Sequence, residues 1–255
     1  MNNHALLTIE RATKRFGGLQ ALSEISFDVS ASRIKGLIGP NGSGKTTLFN
    51  IICGFYKATS GRICFRGEDI THLNSYDIAC KGISRTFQLV RLFGNMTVLE
   101  NVVVGCHRLR QTGIVGASLH LSSARKEEKV CQDRALEVLA LLGLESKAYQ
   151  SPASLPLGEQ KLVEIARAVA AEPILLLLDE PAGGLSVSEV DKLLEAVVAI
   201  NGRGIAILVV EHDMRFVQGI CHDVVALDHG CKIAEGIFSE IREDPRVIEA
   251  YFGVA

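Results

Sequence analysis

Residues 34–50 read IKGLIGPNGSGKTTLFN, and this stretch decides the fold. An apolar run of strand length leads into Gly39-Pro40-Asn41-Gly42-Ser43-Gly44-Lys45-Thr46, and a helix-like segment, TTLFNIICGF, follows. The middle section satisfies G-x-x-x-x-G-K-[ST] in full. Its glycines let successive backbone N–H groups turn inward around phosphate oxygens, and the helix that starts there aims its positive end at the same anion. Lys45 is expected to reach the β- and γ-phosphates of a nucleotide. The Thr46 hydroxyl would take a coordination position on Mg2+, and Thr47 completes the nucleotide-binding candidates. The bland alternative is a glycine-rich strand-to-helix turn that holds nothing. The flanking strand and helix favour the nucleotide.

Downstream, Ile174–Leu178 is a buried-strand pattern ending in Asp179-Glu180-Pro181. A strand that delivers Asp179 to the edge of the phosphate site would let it support Mg2+, with Glu180 beside it to polarise an attacking water. An Asp-Glu pair after a strand is also a common way to cap a helix. A second apolar strand, IAILVV, ends in Glu211-His212-Asp213, which sets His212 above the other six histidines as a γ-phosphate contact. These runs are unbroken rather than alternating, so both faces of the strands should be buried in a parallel sheet covered by helices.

The rest of the chain fits an α/β core with a helical insertion. Residues 5–38 and 60–75 have short-strand patterns, whereas roughly 90–155 reads as helical. Thr97-Val-Leu-Glu100 has capping-box spacing, and the helical pattern of Ala124–Leu142 stops at Gly143. The expected division is one nucleotide-binding domain over 1–255. Its core and β subdomain would occupy 1–90 and 160–255, and its helical subdomain about 91–159.

Bulk properties exclude several classes. A formal charge of −2 over 255 residues gives no basic stripe for nucleic acid. Seven cysteines without C-x-x-C spacing suit reduced thiols better than a disulfide framework or a zinc site. The first ten residues, MNNHALLTIE, lack the basic and apolar regions of a signal peptide. Apolar runs stop far short of the roughly 20 residues that span a bilayer.

Taken together, the phosphate loop, "SLPLGEQK" at 154–161, "LLLLDEP" at 175–181 and "EHD" at 211–213 resemble ATP-binding-cassette ATPase subunits in order and spacing. The resemblance covers essentially the whole chain. It implies a P-loop NTPase fold with a RecA-like core sheet, a small antiparallel β subdomain and a helical insertion. It further implies a head-to-tail dimer that sandwiches two ATP molecules, each held by the phosphate loop of one subunit and the signature turn of the other. By the same resemblance Phe16 stacks on adenine, and Gln88 reaches Mg2+ and the attacking water. Glu180 is the catalytic carboxylate, His212 the switch histidine, and Leu155, Pro156, Leu157, Gly158 and Glu159 form the signature turn. A core plug for Phe16 and a polar helix-entry residue for Gln88 are the alternatives.

"KRFGGLQAL", "RTFQLVRLFGNMTVLENVVVG", "VVEHDMRFV", the closing "KIAEGIFSEIREDPRVIEAYFG" and a longer insertion around 106–130 resemble the ATPase subunits of branched-chain amino acid importers. Urea and amide importer ATPases are the near alternative. A translation or repair cassette, or an ATP-binding regulatory module, is the alternative from another class. The resemblance implies transmembrane permease partners, a second ATPase subunit, a solute-binding protein acting indirectly, and a place on the cytoplasmic face of the plasma membrane.

Two stretches, the signature turn and the dimer-contact loop, depart from the family pattern. Pro156 occupies the position of a signature serine whose hydroxyl would donate to the partner's ATP, and proline has neither hydroxyl nor N–H. Glu159 adds a negative charge close to where polyphosphate would sit. Ser186 stands where the dimer-contact loop usually ends in Asp, so it could cap the next helix without supplying a carboxylate. These departures favour a heterodimer, in which a partner supplies the better signature.

Overall fold

The computed structural model describes residues 5–106 and 122–252, so part of the insertion expected around 106–130 lies outside the described residues. The chain divides into two compact units, one of 1–85, 174–184 and 201–255, the other of 86–173 and 185–200.

The first unit carries both sheets. In the antiparallel one, β1 (Ala5–Phe16) and β2 (Leu19–Ser30) form a hairpin, and β4 (Ser60–Phe65) and β5 (Glu68–Asp69) complete the order β2-β1-β4-β5. In the other, β3 (Ile34–Ile38), β6 (Ile83–Arg85), β7 (Leu175–Asp179), β8 (Ala206–Val210), β9 (Asp223–Asp228) and β10 (Cys231–Gly236) run in the order β10-β9-β3-β8-β7-β6. The five strands from β9 to β6 are parallel, and β10 pairs antiparallel at the edge. Every residue of β3, β7 and β8 is buried, the aliphatic ones as a covered parallel sheet requires, and the charged Lys35 and Asp179 in ion pairs.

This order places the C-terminal ends of β3, β8 and β7 side by side, where ligands bind in open α/β sheets. Helix α1 (Lys45–Ile52) leaves β3 through the glycine-rich loop. Leu48, Phe49, Ile51 and Ile52 of α1 enter a core shared with Leu177, Leu208 and Val210. Helix α2 (Ser75–Lys81) leads into β6; neither was anticipated, because β6 has only three residues and a single fully apolar one.

The second unit is helical. It contains α3 (Val98–Gly105), α4 (Ser122–Leu141), α5 (Leu157–Ala170) and most of α6 (Val187–Gly202). The Thr97–Glu100 capping box forms in both directions: Thr97 Oγ1 accepts the Glu100 N–H at 3.2 Å and Glu100 Oε2 accepts the Thr97 N–H at 2.7 Å. Gly143 follows α4 at a φ of +70°, the left-handed stop that glycine supplies without penalty. The division differs from the expected one because a boundary at 160 would cut the continuous helix α5. Three short helices, α7 (Met214–Ile220), α8 (Phe238–Glu243) and α9 (Pro245–Phe252), return to the first unit. No helix of the described residues is long and apolar enough to cross a membrane.

Candidate nucleotide site

Gly39 is the first residue past β3, with a φ of +149°, and a β-carbon there would lie 2.2 Å from the Leu227 carbonyl oxygen. At Gly44, φ +104°, a β-carbon would lie 2.9 Å from the Ala21 carbonyl oxygen. At both positions close backbone packing, as well as conformation, admits only glycine. The loop between them is cross-braced: the Ser43 N–H donates to Pro40 O at 3.2 Å and the Gly230 N–H to Ser43 O at 3.1 Å. Lys45 is buried, and its ammonium donates to Gly39 O at 2.7 Å and Pro40 O at 2.8 Å. Burial pulls its pKa below the usual lysine value, against the opposing pull of Glu180 and Asp179.

A cavity of about 430 Å³ opens over this loop, a volume within the range of small-ligand sites. Asn41, Gly42, Gly44, Lys45, Thr46 and Thr47 form one wall, Phe16 another, and Glu180 projects into it. Phe16 lies at the tip of the β1–β2 hairpin and is 41% exposed, so it does not plug the core. Its ring meets Tyr56 edge-on at 5.3 Å and 79°, with the Lys14 ammonium 4.8 Å from its centroid. Tyr56 escaped the sequence reading, since nothing in its flanks marks it as a ring neighbour of Phe16.

Asp179 ends β7, is 3% exposed, and lies near enough for its charge to act on Lys45. Its Oδ2 accepts from Arg85 Nη2 at 2.6 Å, and Arg85 Nη1 donates to Asn50 Oδ1, also at 2.6 Å. Arg85 therefore ties β7 to helix α1, and sequence reasoning missed it because β6 itself went unrecognised. The helix-cap alternative for Asp179-Glu180 fails, because the next helix begins only at Val187. Glu180 instead turns left-handed at φ +49°, with its N–H on Val210 O at 2.9 Å. Such a φ costs a residue with a β-carbon about 1–2 kcal/mol, and it carries the carboxylate away from the strand axis toward the cavity.

His212 emerges past β8 and is exposed, but it lines a separate apolar cavity with Ile38, Tyr251 and Phe252 rather than the one holding Lys45. The Tyr251 hydroxyl accepts the Gly39 N–H at 2.8 Å, linking the C-terminal helix α9 to the start of the phosphate loop. Burial raises the pKa of this phenol.

Gln88 is exposed and belongs to the helical unit, as does the turn at 155–159. There Pro156 takes the N-cap position of α5 at φ −55° and ψ 157°, with no side-chain cap. The Gly158 N–H at the helix start is accepted by Glu189 Oε1 at 3.2 Å, and a β-carbon on Gly158 would lie 2.8 Å from that oxygen. Glu189 Oε2 also accepts the Ser186 hydroxyl at 2.7 Å and its N–H at 2.9 Å. Ser186 therefore donates to Glu189 through both groups. These donors, the Ser186 hydroxyl first, hold Glu189 below the usual carboxylate range. Glu159, whose negative charge is expected close to polyphosphate, forms an ion pair with Lys147.

Among the described residues no three His, Cys, Asp or Glu side chains gather as a metal cluster. A Mg2+ held mainly by nucleotide phosphates and waters needs only one or two protein oxygens. The Thr46 hydroxyl in the cavity wall and the buried Asp179 carboxylate are oxygen donors of that kind, so the residues fit the ion.

The sequence profile of the ABC transporter family matches residues 22–183, and that of the branched-chain amino acid ATP-binding cassette transporters matches 231–255. The chain is 40% identical, over 98% of both chains, to the high-affinity branched-chain amino acid transport ATP-binding protein LivG of Escherichia coli K12. It is 38% identical to BraF of Pseudomonas aeruginosa, of the same description, again over 98% of both. Among solved structures, a nucleotide-free ATP-binding cassette from an ABC transporter superposes with a TM-score of 0.85 at 32% identity, covering 98% of this chain and 100% of the other. A dimeric cassette bound to ADP and Pi in a post-hydrolysis state superposes with a TM-score of 0.76 at 26% identity, over 91% and 98%. The fold, the phosphate loop and these likenesses agree: the chain belongs to the ABC transporter family and is an ATP-binding cassette ATPase.

Proposed function

We propose that this cassette powers a membrane importer of branched-chain or other hydrophobic amino acids, acting on the cytoplasmic face of the plasma membrane against transmembrane permease subunits. The observation that carries the reading is the single cavity that joins Lys45, Thr46 and Glu180, with the charge of the buried Asp179 acting on Lys45. Its solute class is supported by the match of 231–255 to branched-chain amino acid cassettes and by the 40% identity to LivG. The two compact units work as one nucleotide-binding domain.

In this reading Phe16 stacks on the adenine, and Gly39 to Thr47 hold the phosphates. Lys45 gives up its loop carbonyls for the β- and γ-phosphates. Thr46, Asp179 and Gln88 hold Mg2+, which supplies charge neutralisation on the phosphate oxygens. Glu180 accepts a hydrogen bond from the attacking water and draws off its proton as the water oxygen bonds the γ-phosphorus. The bond from that phosphorus to the bridging oxygen breaks, leaving ADP and inorganic phosphate. His212, which lines a separate apolar cavity in this structure, would have to turn toward the γ-phosphate to contact it, and residues 155–159 face the ATP of a second cassette. The proline at 156 favours a different chain as that partner, with a solute-binding protein acting at a distance.

Glu180→Gln tests the core of this reading. ATP binding should persist while turnover falls by at least roughly a hundredfold, the scale of lost general-base catalysis. Co-expression with the cognate permease in vesicles should stimulate hydrolysis on addition of leucine and its binding protein. Undiminished turnover in the variant would remove Glu180 from the mechanism.

A further inference from the structure

Glu211 directly follows β8 and is fully buried. A carboxylate in such a place is stable only when its oxygens are satisfied. Its hydrogen-bond partners are backbone amides drawn from two loops, and His212 Nδ1 lies 3.7 Å from Oε2. Oε1 accepts the Ala182 N–H at 2.6 Å, while Oε2 accepts the His212 N–H at 2.9 Å and the Asp213 N–H at 3.2 Å. The first loop continues directly from Glu180, and the second carries His212.

The consequence lies in the backbone of Glu180. That residue holds a left-handed conformation, φ +49°, which a β-carbon disfavours and which the surroundings must impose. On its N-terminal side the Glu180 N–H donates to Val210 O, the last residue of β8. Two residues later the Ala182 N–H donates to Glu211, the residue after Val210. Between them stands Pro181, whose ring fixes its own φ. The turn 180–182 is thus pinned at both ends to the same two residues, Val210 and Glu211. Charge-assisted bonds from buried amides are the strong kind, and here one carboxylate spans both loops.

We propose that Glu211 is a positioning residue for ATP hydrolysis, whose carboxylate holds the Glu180 turn and the His212 loop in one geometry. It touches neither nucleotide nor water. The proposal rests on the reading of Glu180 as the catalytic carboxylate.

The test is Glu211→Gln in the full chain, read beside Glu180→Gln. An amide has the same shape but only one accepting oxygen, so either Ala182 or the His212–Asp213 pair is left facing an N–H2 donor. Losing one charge-assisted bond should lower kcat by roughly ten- to a hundredfold. The KM for ATP should change far less than kcat, because the phosphate loop is not touched. The Ala182 or the His212 amide should also exchange its hydrogen faster than in the unmodified chain. Unchanged kcat in Glu211→Gln, with Glu180→Gln inactive, overturns this proposal alone. Full activity of Glu180→Gln overturns the catalytic reading and this proposal with it. A rise in KM in step with the fall in kcat would assign Glu211 to general stability and also overturn it. Should the variant fail to fold, amide exchange in the native chain decides: Ala182, His212 and Asp213 must all be protected, and free exchange at Ala182 refutes the clamp.

Discussion

Replacing Pro156 by Ser separates a helix cap from an ATP clamp, because the two roles predict changes in different quantities. The site tolerates serine: the residue's φ of −55° and ψ of 157° are open to it, its ring is exposed, and its carbonyl already accepts the Gln160 N–H at 3.0 Å. The new N–H would face water. As an N-cap, serine is worth about 0.5–2 kcal/mol where a cap was missing. The Gly158 N–H already has Glu189, so the new hydroxyl is left with the amide of Glu159 at the third helical position. Against this gain, removing proline frees the unfolded chain at a cost of about 0.4–1 kcal/mol. The difference runs from about −0.5 to about +1.6 kcal/mol, and in a chain of this size that raises Tm by at most roughly 3–6 °C.

The clamp role predicts a larger effect elsewhere. A serine hydroxyl donating to the γ-phosphate of a partner's ATP contributes about 1.5–3 kcal/mol, or roughly ten- to a hundredfold in affinity. The assay is ATPase rate against subunit concentration for the native chain and for Pro156→Ser, with thermal melts of both. The variant should reach half-maximal turnover at a concentration lower by that factor, with Tm raised by no more than roughly 6 °C. A higher Tm with an unchanged concentration profile would show that the turn only caps α5, and would refute the clamp.

Three further outcomes follow from the geometry. Glu189→Gln should shift the same concentration profile in the same direction, because it removes the carboxylate charge from the Gly158 amide. Its folded pKa is depressed, so the stability Glu189 lends is complete above its ordinary carboxylate pKa and is lost as pH falls through the folded value; the Tm gap between variant and native chain should therefore close on acidification. Arg85→Met removes the guanidinium from the buried Asp179 carboxylate and should cost about 3–5 kcal/mol in denaturant unfolding, whereas a loss below about 1 kcal/mol would show that Asp179 does not depend on the pair. Thiol titration at pH 8 should label the exposed Cys80 and Cys231 promptly and leave Cys53 and Cys221 silent until unfolding, since burial pushes those two to about 11 and about 12. Rapid labelling of the buried Cys53, or of the half-buried Cys221, in the native chain would contradict the suppressed ionisation of these thiols.

The parts of this molecule legible in its sequence are those fixed by local rules. The G-x-x-x-x-G-K-[ST] run names its own backbone geometry, and Thr97 and Glu100 cap α3 because the contact spans three residues. The unbroken aliphatic runs of β7 and β8 could only be strands buried on both faces. What stayed hidden depends on pairings distant along the chain. Arg85 and Asp179 are 94 residues apart, and Gly158 and Glu189 are 31 apart. Glu211 was visible only as the neighbour of a histidine, since no local pattern announces that its carboxylate reaches an amide 29 residues upstream. Glu159 belongs with these: its charge is legible, but its ion-pair partner Lys147 comes from a different segment.

That pairing changes what the departures around residue 156 mean. With Glu159 paired, the negative charge that matters at the start of α5 is that of Glu189, already seated on the Gly158 N–H. The first-turn amides of a helix attract anions, and here one has an intramolecular carboxylate as its acceptor. A phosphate arriving at that amide has to replace an existing charge-assisted bond rather than fill an open one, so only its surplus over Glu189 counts toward closing a dimer. The missing hydroxyl at Pro156 reduces that surplus from the other side. Restoring the hydroxyl and removing the carboxylate should therefore add nearly independently if each contacts the phosphate through its own atom. Should the pair act through one shared geometry, Pro156→Ser with Glu189→Gln would fall short of the sum. A double-mutant cycle on the ATPase concentration profile distinguishes the two, and strict absence of any effect from either substitution would sink the account of 155–159 as an anion-facing turn.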